Sequence, residues 1–110
     1  MTERALSNRG YNVQACEDVA KARAAFASSD PPHDLVLSDV VLPDGRGSDL
    51  VYDLLKERPG MAAILVTGYT DERADWERAR EEGVELLMKP VGMAKLLKQV
   101  SLALERRGDV

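Results

Sequence analysis

The sequence predicts an α/β domain built on a parallel sheet. Three observations carry that expectation. Short apolar runs recur along the chain, and stretches with helical spacing separate them. Two of the runs, Leu35–Ser38 and Ala62–Val66, are continuous rather than alternating, as in strands covered on both faces. Polar residues stand where three of the runs end, namely Asp39, Thr67 and Lys89.

Taken in order, Met1 to Arg9 reads as a short polar helix with Ala5 and Leu6 as its apolar pair, closed by Gly10 in a left-handed cap. Tyr11-Asn12-Val13-Gln14-Ala15 alternates and predicts a half-buried strand. Asp18 can cap a helix from Val19 to about Ser28, with Val19, Ala22 and Phe26 on its inner face. Ser29 to His33 contains two prolines and reads as a loop. Leu35–Ser38 reads as a central strand that delivers Asp39, and Pro43 to Gly47 as the loop beside it.

Leu50, Val51, Leu54 and Leu55 recur at helical spacing until Pro59-Gly60. After the Ala62–Val66 strand, Asp71 to Glu82 is a charged helix, capped by Thr70 or Asp71 and ended by Gly83. Its apolar stripe is thin: Ala74, Trp76 and Ala79. Val84 to Met88 is a strand ending at Lys89-Pro90. Met93, Leu96, Leu97, Val100 and Leu104 mark an amphipathic last helix, with Arg106 and Arg107 near its negative end.

At 110 residues the chain supports one domain with one core. Charged residues make up 31%, the net charge is −4 and no basic run occurs, so nucleic acid is not a favoured partner. No apolar stretch approaches a membrane span, and the N-terminus lacks the apolar centre of a signal peptide. The single cysteine, Cys16, can make no internal disulfide and reads as a small buried apolar residue. A cytoplasmic setting is the simplest expectation.

In open parallel sheets, ligands bind beyond the carboxyl ends of the strands. Neighbouring strands would therefore bring Asp39, Thr67 and Lys89 to one rim. A carboxylate, a hydroxyl and an ammonium together suit a phosphoryl group. The carboxylate can act as nucleophile, the lysine can neutralise charge, and the threonine can donate a hydrogen bond.

Asp39-x-x-x-Pro43-Asp44-x-x-Gly47, then Thr67-Gly68, then Lys89-Pro90 resembles the receiver domain of two-component response regulators. The forms Val66-Thr67-Gly68-Tyr69 and Leu87-Met88-Lys89-Pro90 are similar to receivers attached to hybrid sensor kinases. The resemblance implies a flavodoxin-like fold with strand order 2-1-3-4-5. It implies Asp39 as acceptor of a phosphoryl group in a phosphorelay, from a sensor histidine kinase or a phosphotransfer protein. Thr67 would be the switch hydroxyl and Lys89 the phosphate-binding lysine, followed by a cis peptide bond. It implies Mg2+, with Asp39 and the main-chain carbonyl of Val41 among its ligands. It does not imply an enzyme: an aspartyl phosphatase needs a second acid two residues after the nucleophile, and Val41 is there.

The chain also departs from that pattern. Receivers open with a central strand ending in two adjacent acids, and that strand is absent here. The domain, residues 1–110, therefore reads as a receiver that is incomplete at its N-terminal side. Glu3, and the pair Glu17 and Asp18, are the nearest acids. The gap admits three readings: a truncated chain, a gap closed by direct strand pairing or by exchange in a homodimer, or a degenerate receiver that acts as a phosphorylation-independent interaction module. Leu86 stands at the usual aromatic switch position and Val91 where phenylalanine commonly follows Lys-Pro. His33 reads as an exposed loop residue, Asp44 as a turn residue, and Trp76 as either core or an exposed partner-binding patch.

Overall fold

The computed structural model describes residues 2–28, 33–68 and 73–108. In chain order these form α1 (Thr2–Asn8), α2 (Val19–Ser28), β1 (Leu35–Asp39), β2 (Val41–Leu42), β3 (Gly45–Arg46), α3 (Gly47–Glu57), β4 (Ala62–Thr67), α4 (Arg73–Glu82), β5 (Glu85–Met88) and α5 (Met93–Gly108). Strands β1, β4 and β5 make a parallel sheet in the order β1-β4-β5. Leu35 pairs with Ala62 and Asp39 with Val66, while Thr67 pairs with Met88.

Both faces of the sheet are covered, which explains the continuous apolar runs. On one face Ile64 and Leu87 pack with Leu6 of α1 and with Leu96 and Val100 of α5. On the other, Leu65 and Leu86 pack with Val51 of α3 and Ala79 of α4. Leu50 and Leu54 of α3 continue that layer under Val19, Ala22 and Phe26 of α2. Ile64 and Val51 are wholly buried. Trp76 is half-buried against the Val51 cluster, so packing is the role observed for it.

The helix ends follow their signals. Gly10 and Gly83 take positive φ, 91° and 73°, a conformation open to glycine without a Cβ clash. The Tyr11 amide then reaches back to the Leu6 carbonyl, and Val84 to Ala79, closing α1 and α4. Asp18 caps α2 by accepting from the Lys21 amide at 2.8 Å. The expected caps Thr70 and Asp71, the Ala74 side chain and most of the Ser29–His33 loop lie outside the described residues.

Four expectations need correction. Residues 11–15 form no strand. Their one backbone bond among the described residues is the Tyr11 link to α1. A strand exists by pairing, and among the described residues no strand stands beside this segment. The alternation still sorts its side chains: Tyr11 and Val13 join the Leu6 cluster, while Gln14 and Cys16 face the layer of α2. For the same reason Leu35–Ser38 is not central but an edge of the described sheet, and all five residues of β1 are only half-buried. Cys16 is likewise half-buried. His33 is not a plain exposed residue: its Nε2 lies 3.1 Å from Gln14 Oε1, and its ring stacks on Phe26.

Candidate functional site

The carboxyl rim of the sheet is built by three consecutive strand ends. Asp39 is the last residue of β1, Thr67 the last of β4, and Lys89 follows β5 directly. The Val40 amide donates to the Val66 carbonyl at 2.9 Å, and the Lys89 amide to the Thr67 carbonyl at 2.7 Å. The ladder thus runs past the strand ends and fixes the backbone under all three side chains. The Lys89–Pro90 bond is cis.

Lys89 Nζ stands 2.9 Å from Asp39 Oδ1, and both side chains are about half-exposed. The lysine reaches across the full width of β4, two strand spacings of about 4.8 Å each. Its stem passes over Gly68, where an added Cβ would sit 3.8 Å from Lys89 Cδ. Thr67 is buried between the two charged residues. The structure therefore brings together all three residues singled out at the strand ends.

The loop leaving Asp39 folds back at once. β2 and β3 pair as a two-residue hairpin about Pro43 and Asp44, where the sequence suggested only a loop. The Val40 carbonyl then accepts from the amides of Gly47 and Ser48, at 2.7 and 3.4 Å, and starts α3. A Cβ on Gly47 would collide with the Asp39 carbonyl oxygen and Ser38 Oγ, so only glycine lets α3 begin this close to Asp39.

Asp44 does more than turn the chain. Its carboxylate accepts from the Val19 amide at 2.7 Å and the Ala20 amide at 3.1 Å, capping α2 from the hairpin. The Val19 amide is the chief cause that holds the Asp44 carboxyl below the usual carboxylate range. That role spans 25 residues in sequence, so no local signal announced it.

The family model for the response regulator receiver domain matches residues 1–101. The chain belongs to that family. The receiver is 30% identical over 104 residues to the sensor kinase CckA of Brucella abortus, covering 94% of this chain and 11% of that protein. It is 29% identical over 107 residues to the response regulator protein PilR of Pseudomonas aeruginosa, covering 97% of this chain and 24% of that protein. The receiver thus spans a quarter or less of either relative. Among solved structures it resembles a CheY-like receiver domain protein of Methanospirillum hungatei, with a TM-score of 0.87 and 30% identity over 97% of this chain and 84% of that one. The flavodoxin-like receiver fold is shared.

Receivers generally bind Mg2+ for phosphorylation. The described residues of this receiver do not fit that ion. Mg2+ wants hard oxygen ligands in octahedral array, with carboxylates among them. Among the described residues no group of three or more acidic, histidine or cysteine side chains converges. Glu17 pairs with Lys21 Nζ at 2.9 Å, and Asp18 is spent on the α2 cap. Of the expected ligands there remain Asp39, already opposed by a lysine, and the Val41 carbonyl.

No helix among the described residues is long and apolar enough to cross a membrane.

Proposed function

We propose that the receiver is a phosphoacceptor in a phosphorelay, with Asp39 taking the phosphoryl group from the phosphohistidine of a sensor histidine kinase or a phosphotransfer protein. The observation that supports this reading is the 2.9 Å pairing of Lys89 Nζ with Asp39 Oδ1 at the carboxyl rim. A carboxylate oxygen of Asp39 forms the new P–O bond as the P–N bond of the donor breaks. The donor imidazole takes a proton as it leaves, and an acyl phosphate results.

Phosphoryl transfer depends mainly on positioning and on charge placed against the transferred oxygens. Lys89 supplies a cation already aimed at the acceptor oxygen. The Thr67 hydroxyl, one strand away, donates to a phosphoryl oxygen. Gly47 and the Val40 bonds hold the Asp39 backbone still while this occurs. No step is assigned to a metal.

Incubation with phosphoramidate, followed by intact-mass analysis, tests this reading. One phosphoryl group per chain is expected, and none on Asp39→Asn. An adduct that survives Asp39→Asn would contradict it. Absence of any adduct would favour an interaction module of the same fold that works without phosphorylation.

A further inference from the structure

Asp39 is held from two directions. Through β1 it stands in the ladder with β4, opposite Val66, and that ladder is backed by the buried Ile64 and Leu65. Through the next residue it is joined to the β2–β3 hairpin, whose base closes where the Val40 carbonyl accepts from the Gly47 amide at 2.7 Å. The hairpin is the weaker support. It pairs only Val41 with Arg46 and Leu42 with Gly45, and Val41 is 58% exposed. A hairpin this short is marginal unless something outside it holds it.

The first turn of α2 supplies that hold. At the hairpin tip one oxygen of the Asp44 carboxylate accepts from the Val19 amide at 2.7 Å, and the other from the Ala20 amide at 3.1 Å. Asp18 serves the next two amides: its side chain accepts from Lys21 and its carbonyl from Ala22. The start of α2 is therefore satisfied only with Asp44 in place. Leu42 packs into the layer of Val19, Leu50 and Leu54, and a Cβ on Gly45 would stand 3.5 Å from Val19 Cγ2. Such apolar contact resists lifting of the hairpin but is non-directional. The two charge-assisted bonds are directional, and they fix the tip against sliding.

We propose that Asp44 is a positioning residue for phosphoryl transfer to Asp39: by pinning the hairpin tip to the first turn of α2, it fixes the chain leaving Asp39 and so the direction in which the acceptor oxygen is presented. The inference rests on Asp39 being the acceptor. Asp44 sits at the far end of the hairpin from Asp39 and acts through the backbone between them. Transfer depends on alignment, and a displacement of about 1 Å at the reacting atoms costs on the order of 100-fold. A loosened tip is a smaller disturbance, because the β1 ladder and the Val40–Gly47 bond remain, and its expected cost is about 10-fold.

The Arg23–Asp53 pair, at 2.8 Å, ties α2 to α3 without passing through the hairpin and provides the control. The experiment measures the rate of phosphoramidate labelling at Asp39 by intact mass, on the whole chain, at a temperature where circular dichroism shows each variant folded. Asp44→Ala removes the acceptor and should slow labelling about 10-fold. Val19→Pro removes one donor at the first helical position, where proline is tolerated, and should slow it about threefold. The two together should be no slower than Asp44→Ala alone, because both break one joint. Asp53→Ala should label within about twofold of the parent rate, since α2 keeps its hold on the hairpin. Should Asp44→Ala not fold, Asp44→Asn, which keeps one acceptor oxygen, takes its place with an expected slowing of about threefold. Labelling of the Asp44 variant at the parent rate would overturn the proposal. So would equal slowing by Asp53→Ala, or a double variant slowed by the product of the single effects. A parent chain that takes no phosphoryl group on Asp39 overturns the acceptor reading, and the positioning role with it. A parent that labels beside an unaffected Asp44 variant overturns the positioning role alone.

Discussion

Residues 11–15 and 85–88 both carry strand-forming sequence, yet only the second stretch is a strand. Glu85 to Met88 lies against β4, which is itself held by β1, and its backbone is satisfied residue by residue. Tyr11 to Ala15 has the cleaner alternation, but among the described residues it joins no strand ladder. Pairing, not propensity, decides the outcome. The candidate site lies entirely on the paired side. Asp39, Thr67 and Lys89 are fixed by ladder bonds that do not pass through residues 11–16. Among the described residues the receiver therefore divides into a paired rim and a segment outside the ladder.

The largest test of this division is a pair of truncations. Ile64→Ala removes a wholly buried side chain from the paired half and should destabilise the fold by about 4 kcal/mol. Val13→Ala, in the segment outside the ladder, should change stability by about 1 kcal/mol or less, because Val13 is only half-buried. Urea unfolding of both variants measures this, and equal losses would erase the distinction.

Lys89→Ala removes the cation aimed at Asp39. It should slow labelling by phosphoramidate about 100-fold while leaving urea stability nearly unchanged, since the pair is half-exposed. A variant that labels at the parent rate would take Lys89 out of the chemistry.

Adding EDTA in place of Mg2+ should change the labelling rate by less than about tenfold, because among the described residues no three acidic, histidine or cysteine side chains converge to hold the ion. Complete loss of labelling in EDTA would show that metal donors are supplied from elsewhere.

The smallest effect belongs to Asp44. Its carboxyl is depressed in the folded chain by the Val19 and Ala20 amides. A depressed folded value gives a stabilisation that is present above the unfolded carboxyl's ordinary value, near pH 4, and is lost as pH falls through the folded value. The stability gap between the parent and Asp44→Ala should hold from pH 7 to about pH 5 and shrink below about pH 4. The same gap at pH 3 and pH 7 would contradict the cap.

The sequence made the rim legible because each of its parts is local. An apolar run that stops at Asp39, Thr67 or Lys89 marks its own end, and parallel order does the rest. Helices α2, α3 and α5 were legible through spacing and caps. What the sequence hid depends on distant partners. Whether Leu35–Ser38 is central or edge turns on which strands stand beside it. Asp44 looked like a turn residue, since its partners lie 24 and 25 residues upstream. His33 looked exposed because neither Phe26 nor Gln14 adjoins it in sequence. Arg78, lying 4.0 Å over the Tyr52 ring and 3.2 Å from Asp49 Oδ1, ties α4 to α3 by contacts that no periodicity encodes.

The most direct test of the rim is chemical mapping of the phosphorylated position. Borohydride reduces an aspartyl phosphate to homoserine, which peptide sequencing by mass spectrometry locates. After treatment with phosphoramidate, homoserine should be found at position 39 and at no other aspartate. Homoserine at Asp34 or Asp44 instead, or at no position, would contradict the assignment of Asp39.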